Sequence, residues 1–236
     1  MLKLPEGITV CLFDLDGVLT QTAKLHSAAW KRMFDDFLRE RAERTGDPFE
    51  EFTPHDYDRY VDGRPRIDGV RTFLDARGIE HDAELDRRLG DRKNELVLKL
   101  IREEGVEVYE GSLDFVKEAR RQGLRRAVVS SSANTHEVLT SVGIEDLFEA
   151  VVDGLVAQRD GLAGKPAPDT FLAGARALGV EPARAAVFED ALAGVEAGRA
   201  GDFGWVVGVN RTGQADALSA HGADVVVDDL SELMDR

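Results

Sequence analysis

Two aspartates separated by one leucine, Asp14-Leu15-Asp16, close a short apolar run, Val10-Cys11-Leu12-Phe13, and precede Gly17. In an extended chain residues i and i+2 point the same way, so both carboxylates reach one small volume. Like charges that close repel unless a cation or a shared proton intervenes. Gly17 permits a sharp change of direction that a Cβ would resist. Three later segments carry groups able to work with this pair: Ser130-Ser131-Ser132, Gly164-Lys165-Pro166-Ala167-Pro168-Asp169 and Glu189-Asp190. Asp14 with Asp190 and Glu189 offers the hard oxygen donors suited to Mg²⁺, which keeps waters and adds a phosphate oxygen. With such a cation and Lys165 beside it, a carboxylate cluster that would repel phosphate becomes locally cationic. A carboxylate can then attack phosphorus and form an aspartyl-phosphate. The second, Asp16, can protonate the leaving oxygen and later deprotonate the next nucleophile. Ser130 can hydrogen-bond a phosphoryl oxygen, and Lys165 can neutralise charge developing on it.

Each piece also has a plain structural reading. Ser130 to Ser132 can cap the helix that follows. Lys165 can be a solvated loop lysine, and Glu189-Asp190 can cap a helix near Ala191, where an acid suits the dipole. Their joint occurrence, each after an expected strand, favours a site. No Gly-x-x-x-x-Gly-Lys-[Ser/Thr] phosphate loop, complete EF-hand loop or Gly-x-Ser-x-Gly turn occurs.

The elements that position these groups follow from periodicity. Apolar runs at Val10, Ala127-Val129, Ala150-Val152, Ala185-Phe188, Trp205-Val209 and Asp224-Val227 read as strands. Helical spacing between them, near 112–122, 134–142 and 168–178, and again before Gly201, indicates a parallel sheet covered on both faces. In such sheets ligands bind beyond the carboxyl ends of the strands. Residues 22–104 interrupt the alternation and read as all helical. Trp30, Phe34, Phe37 and Leu38 recur on a first helix ending near Gly46. A short helix is expected around His55 to Val61, and a loop at Asp62-Gly63-Arg64-Pro65-Arg66. One helix runs from about Asp68 to Gly78 and another from about Asp82 to Gly105. On the latter, Lys93 falls on the stripe of Leu85, Leu89, Leu96 and Leu100, either snorkelling to water or meeting an anion at a cleft. The fold expected is α/β, a Rossmann-like parallel sheet core (1–21 and 105–236) with a helical cap domain (22–104) inserted after the first strand.

With 236 residues, 43% hydrophobic and 32% charged, the chain can bury a substantial core. A net charge of −15 disfavours nucleic acid and anionic membranes as partners. The single cysteine, Cys11, excludes an internal disulfide and fits a reducing compartment. No stretch approaches the roughly 18 apolar residues of a membrane span, and no signal peptide is evident, so a cytoplasmic protein is expected; a monomer is expected as well.

Phe13-Asp14-Leu15-Asp16-Gly17-Val18-Leu19-Thr20, Ser130, Gly164-Lys165-Pro166-Ala167-Pro168-Asp169 and Phe188-Glu189-Asp190 resemble the four motifs of the haloacid dehalogenase superfamily. The helical insert resembles its small cap. The resemblance implies that Asp14 is the nucleophile and Asp16 the acid/base. It also implies Mg²⁺ held by Asp14, the Asp16 backbone carbonyl and Asp190, with Glu189 assisting. Within the superfamily the chain is most similar to the β-phosphoglucomutase group. By that resemblance His26 and Trp30 lie near the acid/base, Gly63 and Arg66 form a loop whose arginine holds the far phosphate, Lys93-Asn94 match a pair on the last cap helix, and Ser131 and Asn134 bind substrate. Asp62 and Ala133 stand where that group carries lysines, and Gln21 where an aspartate is common. The implied function is Mg²⁺-dependent isomerisation of a sugar phosphate, β-glucose 1-phosphate to glucose 6-phosphate. The alternatives are a sugar-phosphate phosphatase and a non-enzymatic phospho-Asp switch.

Overall fold

Four consecutive apolar residues, Val10–Phe13, form β1, and all four are buried. Such a run suits a strand covered on both faces, as parallel strands are. In the computed structural model, which describes residues 1–235, β1 pairs in parallel with β2 (Arg125–Val129) on one side. On its other side it pairs in parallel with β4 (Ala185–Glu189). β3 (Ala150–Val152), β5 (Trp205–Val209) and β6 (Val225–Val227) complete a six-stranded sheet of order β3-β2-β1-β4-β5-β6. The order reverses direction at β1, where a crevice opens beyond the strand ends. Phe13 is level with Val128 and with Phe188. One step further along, Asp14, Val129 and Glu189 therefore emerge side by side.

Alternate residues of β1 serve two cores. Val10 and Leu12 pack with Val129, Phe171, Val187 and Val206. On the other face Phe13 stacks on Phe188 at 4.6 Å and meets the edge of Phe115 at 6.1 Å. Such aromatic pairs add about 0.5–1.5 kcal/mol beyond their buried area. Cys11 lies fully buried, and burial pushes its thiol up to about 12 against the opposing effect of Arg126, so it is an inert core group.

The chain forms two compact units: Met1–Gln21 with the chain from Val106 onward, and Thr22–Gly105. The second is helical. Its α1 (Ala23–Thr45) ends at Gly46, whose φ of 79° places it in the left-handed region that closes helices. The turn α2 (Pro54–Asp56) carries a reciprocal Thr53–Asp56 cap and runs into a π-helical turn, Tyr57–Val61. α3 (Arg66–Ala76) starts two residues before the expected Asp68, because Pro65 at the cap has a φ of −54° that leads directly into the helix. α4 (Ala83–Glu104) is capped by Asp82, which accepts from the amides of Glu84 and Leu85. Phe34 lies at the centre of this unit, with its ring 5.3 Å from Trp30, 5.0 Å from Phe52 and 4.2 Å from Phe73.

In the sheet unit the helices are α5 (Glu110–Arg121), α6 (Thr135–Ser141), α7 (Gly154–Asp160), α8 (Asp169–Ala177), α9 (Leu192–Ala200) and α10 (Ala215–Ala220). Periodicity does not predict α7. Its two turns are too short for an apolar repeat, and its caps define it. Buried Asp153 accepts from the Val156 amide at 2.8 Å, and left-handed Gly161 stops it. Among the described residues, no helix is long and apolar enough to cross a membrane.

Candidate active site

Each acid emerges where a strand ends. Asp14 follows β1, and its amide donates to the Phe188 carbonyl at 3.0 Å. Glu189 ends β4, and its Oε2 accepts from the Ala191 amide at 3.0 Å. Part of the expected capping role of Glu189 is thus real, one residue before α9. Asp190 comes next, and its carbonyl accepts from Gln214 Nε2 at 3.1 Å. The ligand atoms of Asp14, Glu189 and Asp190 all lie within 4.8 Å of one another, and all three residues are buried.

Lys165 reaches the same volume. Its side chain is fully buried, and Nζ donates to Asp14 Oδ1 at 2.5 Å, Glu189 Oε1 at 2.6 Å and the Val129 carbonyl at 3.1 Å. The reading of Lys165 as a solvated loop residue is thereby overturned. Burial works against its ammonium, but the Asp14 and Glu189 carboxylates outweigh it and hold the pKa above the ordinary lysine value. Burial pushes Glu189 the opposite way from a typical ion-paired acid, upward, with the Lys165 charge opposing the rise.

One ammonium faces three buried carboxylates. That donor set is hard, all-oxygen and negative in excess, and it fits a divalent cation. Two glycines leave the acids no slack. A Cβ on Gly17 would stand 1.8 Å from Asp190 Oδ2, and one on Gly194 would stand 1.8 Å from Glu189 Oε1.

Asp16 is half-buried and forms a bridge with Thr20 within a tight turn. In that turn the Gly17 amide donates to the Thr20 carbonyl at 2.7 Å. Ser130 follows β2 and is buried. Its Oγ accepts from the Ser132 amide at 3.1 Å, and Ser132 Oγ accepts from the Asn134 amide at 3.1 Å. These serines therefore do shape the entry to α6. Ser131 and Asn134 lie on the same loop.

The remaining candidates belong to the helical unit. Lys93 is buried and does not snorkel to water. Its Nζ is 3.1 Å from His26 Nδ1 and 4.9 Å from the centre of the Trp30 ring. Desolvation, then the Lys93 charge, holds the His26 imidazole well below its ordinary pKa, and its Nδ1 accepts the hydrogen bond from the Lys93 ammonium. Trp30 is also a core residue, as its stacking on Phe34 shows. Gly63, at φ 68°, turns the chain before α3. Arg66 opens α3 and lies 3.5 Å from Asp91.

Arg211 and Gln214 were not singled out from the sequence. Both lie in the polar loop Asn210-Arg211-Thr212-Gly213-Gln214 beyond β5, and each binds a backbone carbonyl of the site's turns. No local pattern marks such a role.

A model of the haloacid dehalogenase-like hydrolase family matches residues 8–202. A β-phosphoglucomutase of Mycobacterium bovis is 54% identical over 247 residues, covering 99% of this chain and 94% of that protein. A validoxylamine A 7'-phosphate phosphatase of Streptomyces hygroscopicus subsp. limoneus is 31% identical, with 95% of each chain covered. Among solved structures, a β-phosphoglucomutase from Clostridium difficile superposes with a TM-score of 0.78 at 26% identity, covering 96% of this chain and 93% of that one.

Proposed function

Because this chain belongs to the haloacid dehalogenase-like hydrolase family, we propose that it is a phosphoryl-transfer enzyme acting on a sugar phosphate, of the β-phosphoglucomutase type. The observation that carries the reading is the convergence of Asp14, Lys165, Glu189 and Asp190 at the ends of adjacent strands β1 and β4.

Asp14 is the nucleophile. Lys165 holds its Oδ1 and so fixes the plane of the carboxylate, and Oδ2 is the oxygen assigned to attack phosphorus. Asp16 donates a proton to the departing sugar oxygen and takes one from the sugar hydroxyl that next accepts the phosphoryl group. Ser130 hydrogen-bonds a phosphoryl oxygen, and the Lys165 ammonium balances charge gathering on the transferred group. Asp14, Asp190 and the Asp16 carbonyl, with Glu189 behind them, would hold Mg²⁺. That ion supplies charge neutralisation and orientation of the phosphoryl oxygens. Ser131, Asn134, His26, Trp30 and Gly63 are assigned to substrate binding, with Arg66 and Lys93 supplying cationic charge for the non-reacting phosphate.

The test mixes the enzyme and Mg²⁺ with β-glucose 1-phosphate and a trace of the 1,6-bisphosphate. Glucose 6-phosphate without stoichiometric inorganic phosphate is expected. Inorganic phosphate with no isomerised product rejects the mutase and supports a sugar-phosphate phosphatase, a reading favoured by the similarity to the Streptomyces phosphatase. Asp14→Asn should abolish either activity.

A further inference from the structure

The backbone on both sides of Asp16 is tied down. Before it, the Leu15 carbonyl accepts from the amides of Leu19 and Thr20 at 2.9 and 3.0 Å, and from Thr20 Oγ1 at 3.2 Å. After it, the Gly17 carbonyl accepts from Arg211 Nε at 2.7 Å, across 194 positions of sequence. The first set of bonds is internal to the turn. The second comes from outside it, and it falls on a glycine at φ 88°, the residue type with the widest backbone freedom.

Arg211 is itself held rigidly. Its NH1 donates to the Asp228 carbonyl at 2.7 Å, its guanidinium lies 3.5 Å over the Tyr109 ring, and Asp229 Oδ2 is 3.8 Å away. The side chain is only 12% exposed. A planar fork stacked on an aromatic face keeps a fixed angle between its donors, which a lysine cannot do.

We infer that Arg211 is a positioning residue for Asp16: by fixing the Gly17 carbonyl from outside the turn it sets the direction in which the Asp16 carboxyl delivers its proton. The inference rests on the function proposed above, in which Asp16 is the acid. In that step the Asp14 oxygen–phosphorus bond forms, the phosphorus–sugar oxygen bond breaks, and the Asp16 proton goes to the sugar oxygen. A sugar alkoxide is a poor leaving group and depends on that proton. p-Nitrophenolate leaves without one. Misaimed Asp16 therefore slows transfer from a sugar and spares transfer from p-nitrophenyl phosphate.

The experiment measures phosphoenzyme formation by rapid quench in the full-length chain with Mg²⁺, from glucose 1,6-bisphosphate and from p-nitrophenyl phosphate. Arg211→Ala, Arg211→Lys and Asp16→Asn are compared with the parent. For the Arg211 variants the maximal rate from the bisphosphate should fall roughly tenfold or more, with half-saturation and the p-nitrophenyl phosphate rate changed by less than about twofold. Hydrogen exchange in the segment 15–20 should quicken. Equal losses on both substrates, or none, would overturn the inference. Should Arg211→Ala not fold, Arg211→Lys, which keeps a cation over Tyr109, is held to the same criterion. If Asp16→Asn itself lacks the leaving-group preference, the acid assignment fails independently of Arg211.

Discussion

Gly17 lies so close to Asp190 that a Cβ there would stand 1.8 Å from Oδ2 and 2.4 Å from the carboxyl carbon. Its φ of 88° adds a second reason for glycine. Gly17→Ala would therefore add about 1–2 kcal/mol of backbone strain and push the Asp190 carboxylate out of the acid cluster. The expected result is a modest loss in urea stability and a loss of turnover of roughly a hundredfold, since small displacements at a reacting centre cost that much. Weaker Mg²⁺ activation should accompany it. Unchanged Mg²⁺ half-saturation would show that Asp190 does not hold the ion.

Lys165 compensates Asp14 and Glu189 within hydrogen-bond distance, inside the protein. Removing one partner of a buried ion pair costs about 3–5 kcal/mol because the other charge stays behind. Lys165→Ala should be destabilised on that scale in chemical denaturation. Because the variant leaves three acids with no ammonium, added Mg²⁺ should raise its melting temperature more than that of the parent. Equal shifts in both proteins would argue against an ion among these carboxylates.

Lys93 sits on the apolar stripe of α4, buried against His26 and Trp30. Replacing a buried charge by an apolar side chain of similar length is often neutral or stabilising. Lys93→Met should therefore keep or raise the melting temperature. If Lys93 binds the non-reacting phosphate, losing a charge-assisted contact of about 1.5–3 kcal/mol raises KM for the sugar phosphate roughly ten- to a hundredfold. A destabilised variant with unchanged KM would assign Lys93 to the fold alone.

His81 joins two carboxylates in the helical unit, with Nε2 3.1 Å from Asp75 Oδ1 and Nδ1 2.7 Å from Asp86 Oδ1. Asp86 also accepts from Arg71 Nε at 2.8 Å. The bond to Asp75 raises the imidazole pKa, desolvation opposes it, and Asp86 adds to the rise. A folded-state pKa above the unfolded value of about 6.5 gives stability that is full below that pH. That stability is lost as pH climbs through the folded pKa. His81→Gln should thus lower the urea midpoint more at pH 6 than at pH 8.5. The same drop at both would mean that the protonated imidazole contributes nothing.

Asp14, Glu189 and Asp190 could be located from the sequence because parallel strands present their carboxyl ends to one crevice. The alternation rule that groups Asp16 with Asp14 applies to an extended chain, whereas β1 ends at Phe13 and Asp16 lies in the turn that follows. Lys165 was harder: nothing local distinguishes a lysine before proline in a loop from the fully buried one that the fold makes of it. Lys93 gave a partial signal, its place on a leucine stripe, but its partners come from α1. Arg211 gave none, since it acts on a peptide carbonyl whose neighbourhood is set by φ at Gly17 and not by side-chain type. The start of α3 moved to Arg66 for a different reason, because Pro65 prepares the helix regardless of where the apolar repeat begins.

β1 is flanked by segments beginning at residues 125 and 185, so the strand bearing Asp14 leaves the ribosome long before either neighbour exists. Pairings this distant in sequence form slowly, and an unpaired apolar strand invites association with other chains. Thr22–Gly105, whose contacts are local, is synthesised whole in the interval and can fold first. Nascent chains halted before Ala185 should accordingly be sticky and catalytically inert, and the site should become competent only once the fourth strand has docked.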